Sequence, residues 1–241
     1  VFLPGFSVDR AIAHLPKATS MMGVPTFYTR LLDDPRFTAG LAAHMRVFIS
    51  GSAPLLAETH IQFETRTGHR ILERYGMTET NMSTSNPYDG ERRAGTVGFP
   101  LPGVEARISD EGELQVKADG CSPGYYKMPE KTAEAFVDGW VYTGDKGWMD
   151  EDGFYFLTGR VKDYFKTIQG KFVAPTPIEN IFTENPYTEQ ICLLGRGYSK
   201  TVMTSVLSAI AVEQPKEEIE AALLERVKAV NSQVDHHARI G

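Results

Sequence analysis

Residues 45–79 read MRVFISGSAPLLAETHIQFETRTGHRILERYGMTE, and this stretch decides the fold class. MRVFIS is a short apolar run, GSAP is a turn, and Leu56, His60 and Phe63 share one face of a helix that Gly68 ends. RILERYG is then a second strand. Strand, helix and strand in this order form the pattern of a parallel βαβ unit. Ligands in such sheets gather where the strands end, so GSAP and YGMTE mark the first places to look for a site.

Working toward the N-terminus, Pro25 opens a helix that carries Phe27, Leu31 and Leu32, and Asp33-Asp34-Pro35 stops it. Before it lie a buried-looking segment, TSMMGV, and a helix that Ser7 can cap and that runs to Leu15 ahead of Pro16. Toward the C-terminus, YGMTE runs into a polar loop. From Gly95 the texture becomes turn-rich and strand-rich, with two strands around Asp110-Glu111-Gly112 and further strands at WVYTGD and FYFLTG. The charged run Arg160, Lys162, Asp163 sets a boundary between residues 1–160 and 161–241.

The second region is a small α+β unit. It holds DYFKTIQ and KFVA around Gly170, a helix at PIENIFTEN, strands at TEQICLLG and TVMTSVLSAIAV, and a last helix after Pro215. In that helix Ile219, Ala222, Leu223, Val227 and Val230 form one apolar stripe. The fold class is therefore α/β: a parallel-sheet part plus a strand-rich part, followed by a small α+β domain. The chain opens on Val1 with no initiator methionine and stops at Gly241, so it is expected to be a piece of something longer, with the small domain truncated.

Composition narrows the function. A formal charge of −6 with scattered lysines and arginines offers no basic stripe for tracking phosphates, so nucleic acid is not an expected partner. No apolar run reaches the roughly 18 residues of a membrane span, and no leader pattern is present. Cys121 and Cys192 read as two reduced side chains, which points to a cytoplasmic location. His236 and His237 are adjacent and point apart on a helix, so they are not expected to hold a metal. His60 and His69 are expected at the surface or as caps.

Chemistry concentrates in Tyr75-Gly76-Met77-Thr78-Glu79. Gly76 lets the backbone turn after the strand, Thr78 offers a hydroxyl to a phosphate oxygen, Glu79 offers a hard oxygen to magnesium, and Tyr75 supplies a flat face for a base. Taken alone, the string equally fits a capped turn before a polar loop. Asp145 equally fits a turn aspartate, and Arg160 a solvated linker charge.

Six segments in order carry a resemblance: SGSAPL (50–55), YGMTE (75–79), GYYKMPEKTAEAF (124–136), YTGDKG (142–147), GRVKD (159–163) and GKFVAPTPIEN (170–180). Together they resemble the adenylate-forming acyl-CoA synthetases, the AMP-binding enzymes. The resemblance implies a small-molecule carboxylic acid, ATP, Mg2+ and coenzyme A as partners: the carboxylate attacks ATP to give an acyl-adenylate and pyrophosphate, and the thiol of coenzyme A then displaces AMP. It places residues 1–160 in the C-terminal part of the large AMP-binding domain and 161–241 in the mobile small domain. Carried over residue by residue, it puts Ser52, Ala53, Pro54, Tyr75 and Gly76 at the adenine, Thr78 on phosphate, Glu79 on magnesium, Asp145 on the ribose hydroxyls and Arg160 beside ribose and phosphate. Thr78, Glu79 and Arg160 are the catalytic set. Met77, Asn81 and Met82 border the acyl pocket, Lys162 is the hinge and Gly170 faces the channel for coenzyme A.

Between Gly23 and Gly103 the wording is similar to malonyl-CoA synthetases, and from about Ile108 it resembles fatty-acyl and long-chain synthetases. Malonate or a similar short acid is the favoured substrate. A second carboxylate needs a cation, which the resemblance would place directly after His60, where this chain has Ile61. Neither a glycine-rich phosphate loop ending in lysine nor a late catalytic lysine is present, so this chain alone is expected to bind nucleotide weakly and turn over little. Two other readings stay open at this level: a carrier-protein-loading adenylation domain, and a degenerate nucleotide-binding interaction module. Oligomeric state is open.

Overall fold

The structure, a computed structural model, describes residues 5–182, 185 and 187–241. Two compact units divide the chain: one runs through Thr143 and includes Gly147–Leu157, and the other comprises Gly144–Lys146 with Thr158–Gly241.

The first unit begins with α1 (Val8–His14), β1 (Ser20–Gly23), α2 (Pro25–Leu32), α3 (Ala39–Ala42), β2 (Val47–Ser50), α4 (Ala57–Thr67) and β3 (Leu72–Met77). It continues through β4 (Asn81–Ser85), β5 (Phe99–Pro100), β6 (Val104–Ile108), β7 (Glu113–Ala118), α5 (Pro129–Ala135) and β8 (Phe136–Val137). Strands β9 (Trp140–Met149) and β10 (Tyr155–Arg160) contribute residues to both units. Ser7 stands at the N-cap of α1, but its side chain makes no cap hydrogen bond.

One sheet has the order β1-β2-β3-β4-β5. β1 with β2 and β2 with β3 pair in parallel, whereas β4 runs antiparallel to β3 and to β5. Phe63 of α4 centres the core beneath it, with rings of Tyr28, Phe37 and Phe48 within 4.9 to 5.5 Å of its own. Gly68 ends α4 in the left-handed region (φ 76°), its amide donating to the carbonyl of Glu64.

Two expectations fail in this sheet. TSMMGV is only partly buried: β1 has one neighbour, Met21 packs on the core, and Met22 is 63% exposed. The polar loop expected after YGMTE is instead strand β4. Its polar side chains find a place inside, with Ser83 and Thr84 buried and Ser83 Oγ 2.8 Å from Thr80 Oγ1. An apolar alternation was never needed to bury it. Beyond β4, Asn86 uses its whole amide: Nδ2 donates to the carbonyls of Glu73 and Thr96, and Oδ1 accepts from Arg93 N and Thr96 Oγ1. This ties the irregular segment 86–96 to β3.

The second sheet has the order β10-β9-β7-β6, with β8 on β9. β6 and β7 form the hairpin expected around Asp110-Glu111-Gly112, in register Ile108 opposite Leu114, and Gly112 takes φ 79° in its turn. Val97, Leu114, Val116 and Tyr155 make its core. Helix α5 has no buried residue, so no apolar stripe announces it in the sequence.

The second unit adds β11 (Phe165–Lys166), β12 (Phe172–Val173), α6 (Pro175–Phe182), β13 (Thr188–Leu194), β14 (Val202–Leu207), α7 (Ala209–Val212) and α8 (Lys216–Gln233). β11 pairs with β12 and β13 with β14, both antiparallel. The expected strand TVMTSVLSAIAV stops at Leu207, because Ser208 Oγ accepts from Ala211 N and starts α7. The helix expected over PIENIFTEN starts earlier, at Pro175; Thr183 and Glu184 lie outside the described residues. Ile219, Leu223, Val227 and Val230 of α8 do face the core, where Phe165, Ile178, Phe182 and Leu193 meet Val230. Cys121 and Cys192 are both free thiols, and no described helix is long and apolar enough to cross a membrane.

His60 corrects a further expectation. It is 2% exposed, and both ring nitrogens lack hydrogen-bond partners among the described residues. His69, by contrast, is partly buried and its Nε2 meets the Ala42 carbonyl at 3.0 Å. Burial holds the His60 imidazole below its ordinary value of 6.5. Between the lowered folded pKa and 6.5 the unfolded chain binds more protons, so this contribution to stability is present above 6.5 and is lost as pH falls below it. His60→Leu should therefore flatten the fall in thermal midpoint between about pH 7.5 and about pH 5.5; equal slopes for both proteins would show that burial does not shift this group.

Candidate functional site

The carboxyl ends of β1, β2 and β3 enclose a cavity of 220 Å³. Of the residues expected at a site, Ser52, Gly76 and Met82 line it, together with Arg74, Met22 and Phe27. Ser52, Ala53 and Pro54 form the exposed loop after β2, and Ser52 takes φ 66°, rare for a residue with a side chain. Leu55, next in the chain, is buried, and its amide donates to Glu73 Oε1 at 3.1 Å. The loop is thus anchored from beneath by β3.

Tyr75, Gly76 and Met77 close β3, where the register with β4 shifts between Tyr75 and Gly76. A Cβ on Gly76 would collide with the Asn81 carbonyl and lie 2.8 Å from Met82 Cα, so only glycine admits β4 this close. The turn between the strands carries Thr78, exposed, and Glu79, partly buried. Asn81 opens β4 with φ 55° and donates through Nδ2 to the Gly120 carbonyl at 2.6 Å. Glu79 Oε1 accepts from the Tyr125 hydroxyl at 2.8 Å, and Oε2 has no hydrogen-bond partner among the described residues. One carboxylate with one oxygen held and one open fits Mg2+, which takes one or two carboxylates and completes its shell with phosphate and water.

Two groups here escaped the sequence reading. Arg74 shares a strand face with Gly76 by the period of two, and its guanidinium lies against the Met22 sulfur. Among the described residues it forms no ion pair. Ile61, the position where a cation was looked for, is 50% exposed on α4 and does not line the cavity. Glu73 is 4% exposed, and burial pushes its carboxyl up to about 8 against the opposing Leu55 amide. Its neutral form dominates near neutrality, and no spacing in the sequence signals that.

The second unit holds the other expected residues. Asp145, buried, and Arg160, largely exposed, are brought together by an ion pair, Oδ1 to Nη1 at 2.9 Å. Gly144 between β9 neighbours takes φ 72°, and a Cβ there would lie 3.3 Å from Arg160 Nη2. Lys162 is exposed in a single 3-10 turn, Val161–Asp163. Gly170 turns between β11 and β12 at φ 76° with no atom within 4 Å of a Cβ, so conformation and not crowding selects glycine there.

Comparison with known proteins gives two family matches. The AMP-binding enzyme family matches residues 1–126, and the AMP-binding enzyme C-terminal domain matches residues 162–241. A probable CoA ligase of Humulus lupulus is 39% identical over 222 residues, covering 83% of this chain and 37% of its own length. The malonate–CoA ligase of Arabidopsis thaliana is 38% identical over 219 residues, covering 83% and 36%. The crystal structure of ATP-bound MatB from Rhodopseudomonas palustris superposes with a TM-score of 0.83 at 41% identity, over 99% of this chain and 49% of that one. The chain spans less than half the length of each.

Two outcomes test this geometry. Gly76→Ala should cost about 2 kcal/mol or more of stability in urea unfolding, since a methyl must displace backbone; a change within error would remove the close approach. For Glu73 the folded pKa is raised, so its stabilisation is full below about 4.5 and lost as pH rises through about 8. Glu73→Gln should then gain on the unsubstituted chain steadily across that window in unfolding midpoints, whereas a constant offset would mean the buried acid is already ionised.

Proposed function

The chain belongs to the AMP-binding enzyme family, and on that premise we propose that it serves an ATP-dependent ligase joining a short carboxylic acid to coenzyme A. The observation that carries this reading is the cavity at the ends of β1, β2 and β3, bordered by Ser52 and Gly76 and holding the Arg74 guanidinium, which forms no ion pair among the described residues. Apolar Met22, Phe27 and Met82 suit a short carbon chain, and Arg74 suits a second carboxylate at its far end. A dicarboxylate such as malonate meets both demands. A fatty acid would leave the arginine buried against hydrocarbon, which costs several kcal/mol, roughly.

The first chemical step brings two anions together, a carboxylate and the α-phosphate of ATP. Its barrier falls through orientation and through positive charge aimed at the phosphate. Tyr75 would stack on adenine beside the loop of Ser52, Ala53 and Pro54, and the exposed Thr78 hydroxyl would donate to a phosphate oxygen. Glu79 would hold Mg2+, which supplies charge to offset that of the phosphates. Asp145 would accept from the ribose hydroxyls while Arg160, held beside it, faces ribose and phosphate. Lys162 in its exposed turn would be the hinge. Gly170 would leave room for the pantetheine arm whose thiol displaces AMP.

The test is acid selectivity. In hydroxamate formation by the ligase carrying this chain, Arg74→Met should lower kcat/KM for malonate about a hundredfold. Acetate and octanoate should change by no more than a few-fold, about. Equal losses on all acids, or no loss on malonate, would sink the assignment of Arg74.

A further inference from the structure

The segment GYYKMPEKTAEAF, residues 124–136, has no place in the steps above, yet one of its side chains reaches a residue that does. Tyr125 donates its hydroxyl to Glu79 Oε1 at 2.8 Å across 46 residues of sequence. The backbone supports the same contact, with Ser122 N donating to the Glu79 carbonyl at 2.7 Å. Three other residues of the segment contact or crowd that tyrosine's surroundings. Thr132 Oγ1 accepts from Tyr125 N at 2.9 Å and donates to the Met128 carbonyl at 2.9 Å, which fixes the turn. Gly124 sits at φ 143°, where a Cβ would press into the Thr132 side chain. The Phe136 ring meets the Tyr125 ring edge to face at 5.5 Å.

We propose that Tyr125 is a positioning residue that orients the Glu79 carboxylate for its cation, with Gly124, Thr132 and Phe136 holding Tyr125 in place. The physical reason is the chemistry of a lone carboxylate. A glutamate on an exposed turn samples several rotamers, and a hydroxyl bonded to one oxygen removes most of them while leaving the second oxygen outward. Outer hydrogen bonds of this kind tune metal affinity as strongly as many direct ligands. The proposal rests on the reading of Glu79 as the magnesium carboxylate, and the two can be separated.

Calorimetric titration of MgATP, and of ATP with EDTA, into the ligase carrying this chain separates the metal's contribution from that of the nucleotide. Tyr125→Phe keeps the ring on Phe136 and removes only the hydroxyl. It should weaken Mg2+ binding about tenfold or more while metal-free ATP affinity and the thermal midpoint stay unchanged. Glu79→Gln should abolish the Mg2+ dependence, and adding Tyr125→Phe to it should have no further effect. If Glu79→Gln leaves the Mg2+ dependence intact, the metal reading of Glu79 falls and takes the proposal with it. If Glu79→Gln acts and Tyr125→Phe does not, or if the two losses multiply, the metal reading stands and the positioning role is wrong. A loss of metal-free ATP binding in Tyr125→Phe would likewise overturn it in favour of a structural role.

Discussion

At Gly76 two backbones come closer than any side chain would allow, and the first unit is organised by that approach. Upstream of it the sheet is parallel and built by βαβ connection; downstream the chain returns antiparallel as β4. The register shift at Tyr75 and Gly76 absorbs the change of direction. It also presents Tyr75, Thr78 and Glu79 at the strand end instead of burying them in a continued strand. Without glycine at that position the loop of Ser52, the turn of Thr78 and the cavity between them would have no common frame.

Charge in this frame is distributed with economy. Beneath the Ser52 loop lies a carboxyl kept neutral by burial, whose oxygen holds the Leu55 amide. One residue further along β3, on the opposite face, an arginine without an ionic partner among the described residues borders the cavity. On the turn, a glutamate keeps one oxygen bound and one open. Three ionisable side chains within seven residues, 73 to 79, therefore occupy three different environments, and strand alternation is what separates the first two. In the second unit Asp145 and Arg160 pair beside Gly144, whose missing side chain leaves room next to the guanidinium.

Much of the architecture was readable in the residues because glycine and proline punctuate it: Pro25 and Gly68 bound helices as their stereochemistry requires. What stayed hidden obeys no periodic signal. β4 is polar and buried, α5 is helical and has no apolar face, and Ser208 turns a run of strand formers into a helix. His60 is instructive because the helical spacing already placed it on the face of Phe63. Its residue type argued for the surface, and geometry prevailed. Around the cavity, residue identity pointed to the turn and loop but not to Arg74, since resemblance directed attention to position 61, one step around α4 and outward. Nor could sequence distance reveal that Tyr125 reaches Glu79.

The amide of Asn86 has a bearing on how this protein can change by inheritance or design. Its nitrogen faces two carbonyls and its oxygen faces two donors, so the four bonds distinguish the two ends of a nearly symmetric group. Aspartate, the nearest isostere, would set an anionic oxygen against the carbonyls of Glu73 and Thr96, and leucine would remove all four side-chain bonds. Position 86, in a segment without helix or strand, is thereby closely constrained. Libraries that diversify 86–96 would do best to hold this single codon constant.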